Sequence, residues 1–343
     1  MKVCPAISIL EDNIYKQKYF AAWNKDDDVR NASTSGGIGT AIASFAFLTG
    51  YTVCGVKFDE KFNVLHSLAK NENDICAFKG SKYVQSSTVG IFRSIEEHLR
   101  NGGRLFFIGT PCQVEAIKRY VTPKWQDQLL TCEIICHGVN SPKVWSDYVN
   151  DLQERNKSTL ITYNFRSKSH GWQKLSGGPN LRVSYSFKNE KSFDVPAWKN
   201  QFHYWFGQHY ILRPSCSHCI YRKEKRRADI TIGDFWGVQK VIPNIDTYNG
   251  VSVVIVSTQK GMDFIEQIQN INLMEVDDTS TVKVLRGFIE NGTTATQRAE
   301  IEKEHYFEKK YVNKGYRSMI KIYPHHNIFS LFFFKLKCKL GLK

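Results

Sequence analysis

"RLFFIGTPCQVEAIKRYVTPKWQDQLLTCEIICHG", residues Arg104 to Gly138, decides how this chain is read. Arg104 to Thr110 is a continuous apolar run that stops at Gly-Thr-Pro, as a strand buried on both faces does. Gln113 to Tyr120 predicts a helix, and "LLTCEIIC" (Leu129 to Cys136) a second apolar strand. Strand, helix and strand in that order bring the two strands side by side and parallel, with the helix as crossover. The same alternation extends upstream. "STSGGIGTAIASFAFLTG" (Ser33 to Gly50) places small turn-formers before an apolar helix that stops at a glycine. "YTVCGVKFD" and "FNVLHSLA" read as short strands around a charged turn. Ser87 to Arg100 predicts a helix with Ile91, Ile95 and Leu99 on one face. Downstream, Ser158 to Asp194 reads as strands with Gly- and Asn-rich turns, and Ala197 to His209 as an aromatic-rich helix. "VSVVIVST" is a further buried strand, with "KGMDFIEQIQNI" a helix behind it. The expected fold is α/β with α+β character: a mixed, partly parallel sheet with helices and an inserted β-rich middle segment.

At 343 residues the chain can bury a core without disulfides, and its 42% hydrophobic and 23% charged residues describe an ordinary globule. Met1 to Leu10 lacks the apolar core and cleavage site of a secretory signal. An odd number of cysteines (nine) therefore points to a reducing cytoplasm, where clustered thiols mean metal or redox chemistry. The net charge of +14 is uneven: Lys309 to Lys343 holds nine Lys or Arg and no Asp or Glu. Without a folded basic face or motif context, this charge does not indicate a nucleic-acid partner. Its neighbour "IFSLFFFKLKCKLGLK" mixes Phe with Lys, which suits an anionic membrane surface, here the inner face of the cytoplasmic membrane. A tail docked on the protein's own core fits the same pattern. Ile328 to Phe334 is too short to span a bilayer.

Cys112 in "GTPCQ" and Cys136 in "IICHG" each follow a strand end, where loops of a parallel sheet gather into a site. With Cys216 and Cys219 of "RPSCSHC" they make four thiolates able to converge. Four thiolates suit tetrahedral zinc or an iron–sulfur cluster, and ligands spread over a large fold favour a 4Fe-4S cluster. Cys54 and Cys132 read as small buried apolar residues, while Cys76 and Cys338 have no near partners. Cys4-Pro5 matches the end of a ferredoxin cluster motif, without its sister cysteines. Two segments suit an anionic, phosphate-bearing cofactor: "SGG" (Ser35, Gly36, Gly37) at a helix start, and "KGSKYVQSS" with Gly80, Ser81, Lys82 and Tyr83. Neither is a P-loop or a GxGxxG fingerprint, and an N-cap and an ordinary turn explain them equally well.

Taken in order, "SGG", "GSKYVQS", "GTPCQ", "CHG" with a following Ser-Pro, "FRSKSHGW", "RPSC-x-x-C" and "ADITIGDFWG" resemble the coenzyme F420 hydrogenase/dehydrogenase beta-subunit family. The match is to its bacterial branch associated with polysaccharide biosynthesis, over about Tyr19 to Lys260. The resemblance implies an oxidoreductase with FAD and a 4Fe-4S cluster that takes electrons from ferredoxin or another iron–sulfur donor. A small-molecule hydride acceptor would receive them. It implies Cys112, Cys136, Cys216 and Cys219 as cluster ligands, and Ser35, Gly36, Gly37, Gly80, Ser81, Lys82, Tyr83 and Thr110 as flavin contacts. No catalytic acid or base stands out, and His137, beside Cys136, suits an outer-shell role. Arg222, Lys223, Lys225, Arg226 and Arg227 suit cluster neutralisation, ferredoxin docking or a solvated basic loop. Asn140 stands where a proline is usual in this family. Residues 1–18 read as a remnant of a ferredoxin-type segment or an N-terminal arm, 19–300 as the catalytic body, and 301–343 as a basic amphipathic tail. The competing readings are a zinc-stabilised scaffold of a polysaccharide assembly and a flavoenzyme without a cluster.

Overall fold

In the computed structural model, which describes residues 15–174, 178–289, 294–320 and 322–323, the adjacent side chains Phe106 and Phe107 enter two different cores. Successive residues of a strand face opposite ways, so the sheet that carries them is covered on both faces. The elements run β1 (Lys18–Asn24), α1 (Asp27–Ala32), α2 (Ile38–Leu48), β2 (Tyr51–Phe58), β3 (Val64–Leu68), α3 (Glu72–Phe78), α4 (Ile91–Arg100) and β4 (Arg104–Gly109). Next come α5 (Pro111–Tyr120), β5 (Leu129–Ile134), α6 (Pro142–Asn156), β6 (Leu160–Ser167), β7 (Arg182–Phe187), β8 (Ser192–Pro196), α7 (Gln201–Gly207) and β9 (Ile230–Asp234). The chain continues through β10 (Ser252–Val256), α8 (Gln259–Ile265), β11 (Ile271–Val276), α9 (Asp278–Ile289), α10 (Thr294–Lys314) and α11 (Tyr316–Ile320).

Eight strands form one mixed sheet in the order β11-β1-β10-β9-β5-β4-β2-β3. Its centre, β2, β4, β5 and β9, is parallel; the flanks pair antiparallel. Helices α2 and α8 pack on one face, with Phe106, Ile42 and Phe264 among the buried side chains. Ile95 and Leu99 of α4, and Val114 and Ile117 of α5, cover the other with Phe107. Cys54 and Cys132 are wholly buried, as expected of small apolar residues. The β-rich middle is a separate antiparallel sheet, β6-β7-β8, closed by α6 and α7 around Trp145, Phe165 and Phe202.

The expected α/β fold with a partly parallel sheet is present, with local differences. The helix expected from Ser87 starts at Ile91, because Gly90 (φ +77°) turns the chain just before it. The helix expected over Ala197 to His209 is interrupted at Asn200, whose side chain caps α7 by accepting the His203 N–H at 3.0 Å. The helix expected through Ile271 stops at Ile265 and gives way to β11. A boundary expected at 301 falls inside α10, whose Phe307 is buried against Trp205 of α7 (ring centroids 5.4 Å). Met319 of α11 is buried in the same cluster. The stretch Ile328 to Lys343, Cys338, and Cys4-Pro5 lie outside the described residues. Among the described residues no helix is long and apolar enough to cross a membrane.

His66 of β3 sets a pH limit on this fold. Its ring stacks on Phe107 (5.1 Å between centroids), and Nε2 sits 3.2 Å from the Ile108 carbonyl. Burial pulls its pKa down to about 4, against the partial support of that carbonyl. The folded state then binds fewer protons than the unfolded chain between about pH 6.5 and about 4. The stability this histidine supports is complete above that window and falls on acidification by about 1.4 kcal/mol per pH unit. Urea unfolding across the window should show this slope, and His66→Phe should flatten it. An unchanged slope in the variant would assign the acid sensitivity elsewhere.

Candidate functional site

The carboxyl ends of β4, β5 and β9 open onto a cavity of about 260 Å³. Its walls come from Ser33 to Ser35 and Gly37 to Thr40 before and into α2, Lys79 to Val84 after α3, Ile108 to Thr110 at the end of β4, Ile134 to Val139 around and after the end of β5, and Ile232 to Asp234 of β9. Carboxyl ends of parallel strands are where open α/β sheets bind ligands, because the crossovers leave a crevice there. The cavity lies near the lower end of small-molecule sites, roughly 300–1,000 Å³.

Ser35, Gly37, Gly80, Ser81, Lys82, Tyr83 and Thr110 all line this cavity. The two glycine segments, far apart in sequence, are tied together: the Ser81 N–H donates to Thr34 Oγ1 at 3.0 Å. Gly37, with φ +82°, begins α2 in a conformation that disfavours any side chain. The first-turn N–H groups of Ile38, Gly39 and Thr40 have no intrahelical acceptor, and these residues also line the cavity. Lys82 donates its ammonium to the carbonyls of Ala77, Phe78 and Lys79 (2.8–3.1 Å), capping the C-terminal end of α3. Burial lowers its pKa to about 7.

Gly36 differs from the expectation. It is absent from the cavity wall, and a Cβ built on it would stand 2.5 Å from the Ala22 carbonyl oxygen and 2.8 Å from the Ser252 nitrogen. Glycine is required here for backbone to meet backbone across β1 and β10, not for approach to a ligand. Gly36→Val should therefore fail as a fold, with loss of soluble protein. Gly37→Ala should keep the fold with a cost of about 1 kcal/mol. Equal thermal stability of the two variants would contradict this division.

The four expected metal ligands occupy one neighbourhood. Cys112 is in the first turn of α5, with Thr110 Oγ1 3.2 Å from its sulfur. Cys136 lines the cavity itself. Gly138 (φ +151°) runs against the Cys216 turn, where an added Cβ would meet Cys216 Cβ at 3.4 Å. The Cys219 N–H donates to the Cys216 carbonyl at 3.3 Å. The thiols sense each other's charge. Burial raises the pKa of Cys136, and Cys112, Cys216 and Cys219 raise it further. Burial likewise pushes Cys216 up to about 11, with Cys112 and Cys219 adding to it. Among the described residues, however, no three His, Cys, Asp or Glu side chains are drawn into a cage ready to hold a metal ion.

His137, expected beside the ligands, faces His209 across a 2.7 Å Nε2–Nε2 contact, and burial lowers its pKa to about 4. In the basic run, Lys223 and Lys225 are exposed, but Arg226 and Arg227 are not a solvated loop. Arg226 lies 3.5 Å from the buried Glu133 carboxylate, and Arg227 3.3 Å from that of Glu115.

Sequence reading missed the knot at the far wall. Asp234, at the end of β9, accepts from Arg166 Nη1 (3.0 Å) and Trp172 Nε1 (2.8 Å). Arg166 also donates to the Tyr83 hydroxyl at 3.0 Å. Trp172 stacks on Trp236 with 4.0 Å between centroids. Burial disfavours the charged form of Arg166; the Asp234 carboxylate and Tyr83 outweigh it and raise its pKa. All five residues belong to "FRSKSHGW", "GSKYVQS" and "ADITIGDFWG", whose joint occurrence was the available signal.

No functionally curated protein matches the chain. The fold is similar to that of a chain in the F420-reducing NiFe hydrogenase complex from Methanosarcina barkeri. The two are 16% identical, with 89% of this chain and 95% of that chain covered at a TM-score of 0.51. Residues 19–93 match the pattern that describes the N-terminal part of the coenzyme F420 hydrogenase/dehydrogenase beta subunit. Residues 102–282 match the pattern that describes its C-terminal part. The two patterns meet across the cavity, one carrying the glycine segments and the other the four thiols. The chain belongs to the coenzyme F420 hydrogenase/dehydrogenase beta-subunit family.

Proposed function

We propose that the chain is an iron–sulfur flavoprotein oxidoreductase, with FAD in the strand-end cavity and a 4Fe-4S cluster on Cys112, Cys136, Cys216 and Cys219. The observation that carries this reading is the position of Cys136, which lines the cavity and also lies among the other three thiols. The donor set fits both groups. Thiols at strand and helix ends can close on a cluster; burial raises the pKa of Cys112, and Thr110 and Arg213 oppose it in part. The cavity offers apolar walls for a ring system and, at the start of α2, N–H groups and hydroxyls for phosphate. When bound together, a flavin exchanging electron pairs and a cluster exchanging single electrons interconvert the two.

This chain's residues orient and insulate. Ser35, Gly37, Gly80, Ser81 and Thr110 would contact the flavin, and the Arg166–Asp234 pair holds Tyr83 in the wall. A separate ferredoxin or other iron–sulfur protein would supply electrons, and a small hydride acceptor would receive them, in a reaction serving polysaccharide biosynthesis.

Anaerobic purification tests the reading directly. Brown-yellow protein with extractable FAD and about four iron and four sulfide per chain is expected. Colourless protein containing zinc would replace it with a structural metal site, and flavin without iron would remove the cluster.

We also place the chain at the inner face of the cytoplasmic membrane, held by Ile328 to Lys343. Vesicles containing anionic lipid should sediment the intact chain at low salt and not a chain ending at residue 327, while both reduce a soluble dye. Equal sedimentation would leave the tail without a membrane role.

A further inference from the structure

Lys168 belongs to "FRSKSHGW" but lies outside the cavity wall, and the function described so far gives it no task. Its ammonium gathers three backbone carbonyls from three separate segments. Ser35 and Asn249 accept at 2.8 Å, and Arg30 accepts as well. A lysine ammonium has three N–H donors and no acceptor, so each hydrogen has one carbonyl.

Arg30 repeats the arrangement from the other side. Its guanidinium donates to the Gly250 carbonyl (2.7 and 2.9 Å) and to that of Asp246 (3.3 Å). Gly250, with φ +89°, packs so closely that a Cβ there would meet the Ser35 carbonyl carbon at 2.9 Å. The Gly36 carbonyl accepts from the Asn24 N–H at 2.7 Å. Both carbonyls of the Ser35-Gly36 turn are thereby engaged inside the protein. The Gly36 N–H donates to Ser252 Oγ at 3.0 Å and the Ser35 hydroxyl to the Val251 carbonyl at 2.9 Å. What this end offers the cavity is the first-turn N–H groups of α2, beside the buried Arg30 and the half-buried Lys168.

We propose that Lys168 is the positioning residue of the anion-receiving end of the cavity: by taking up the carbonyls of Arg30, Ser35 and Asn249 it fixes the Ser33-to-Gly37 turn in the form that receives a phosphate group. The proposal rests on the flavin reading and adds which end of the ligand lies here and what prepares the site for it. Lys168 acts through the turn and touches no ligand.

The environment of Lys168 makes this readable by pH. Burial, with Arg30 from α1 and Arg166 from β6 and against Asp234 from β9, lowers its pKa to about 7. Below that value the ammonium satisfies three carbonyls. Above it the neutral amine has two hydrogens, so one carbonyl is released and a cation beside the anion is lost. Affinity for a phosphate-bearing ligand should fall as pH rises through about 7, and affinity for the same ring without phosphate should not.

The test uses the full chain freed of flavin, titrated calorimetrically with FAD and with riboflavin at about pH 6 and about pH 8. For the native chain, the FAD-over-riboflavin preference should be at least about tenfold larger at the lower pH. Lys168→Met should lose that surplus at both pH values while riboflavin still binds. Lys168→Arg should keep a preference that no longer changes over this range, because its charge does not titrate there. A native preference that Lys168→Met preserves, or one independent of pH, overturns the proposal and leaves the flavin reading standing. A native chain that binds FAD and riboflavin alike removes the phosphate end of that reading and the proposal with it. If Lys168→Met does not fold, the native pH profile and Lys168→Arg still decide between these outcomes.

Discussion

Cys136→Ser is expected to abolish the broad visible absorbance of the anaerobically purified protein, and Cys112→Ser, Cys216→Ser and Cys219→Ser to do the same. A serine hydroxyl is a far poorer ligand to iron than a thiolate, and each of the four positions would supply a quarter of the set. The control is Cys132→Ser, four residues upstream of Cys136 and inside β5. Cys132 is wholly buried with Ile230 and Phe106 in the core beneath α2, away from the loops. Its replacement buries a hydroxyl at a cost of about 1–3 kcal/mol. Absorbance per folded molecule should stay intact while thermal stability drops. Bleaching by Cys132→Ser without bleaching by Cys136→Ser would overturn the ligand assignment. Iron counts alongside the spectra separate a lost cluster from a lost fold.

Among side-chain removals outside the hydrophobic cores, that of Asp234 should be the most damaging. Asp234→Leu leaves the Arg166 guanidinium, only 7% exposed, facing an apolar side chain. Breaking one side of a buried pair costs about 3–5 kcal/mol, because the orphaned charge keeps its desolvation penalty. Trp172 Nε1 loses its acceptor in the same stroke. The double variant Arg166→Met with Asp234→Leu should recover a large part of the loss, since it removes the charge as well as its partner. Urea unfolding of Asp234→Leu, Arg166→Met and the double variant measures this cycle. A double variant as unstable as Asp234→Leu alone would mean that the pair matters through shape instead of charge. Flavin content should fall in all three, because Tyr83 and Asp234 stand in the cavity wall.

What could be read along the chain was whatever repeats at short range. The strands β2, β4, β5 and β10 are continuous apolar runs because helices cover both faces, and runs of that kind need no partner to be seen. The helix α6 went unread, although Ser141 and Pro142 open it and Val144, Trp145, Tyr148, Val149 and Leu152 recur at helical spacing. The glycine segments were found, but Gly36 and Gly37 could not be told apart. Which of them faces ligand depends on Ala22 and Ser252, and no local pattern says that those backbones meet there. Lys168, Arg166 and Asp234 were hidden for the same reason. A lysine that holds carbonyls from residues 30, 35 and 249 has no spacing rule. The sequence left Arg226 and Arg227 open between cluster neutralisation, ferredoxin docking and a solvated loop, because nothing local shows the carboxylates of β5 and α5 beside them.

The position of β1 has a consequence for how the molecule comes into being. This strand lies between β10 and β11, with Ala22 opposite Ser252 on one side and Leu273 on the other. A chain emerging from the ribosome makes β1 more than two hundred residues before either of its two neighbours. Parallel pairing of β2, β4 and β5 can proceed meanwhile, whereas β1 waits with both edges bare, a state prone to aggregation. Contacts so distant in sequence slow folding. Nascent chains arrested before Ser252 should therefore depend on chaperones and present Tyr19 to Trp23 to proteases, and release past Val276 should end both at once.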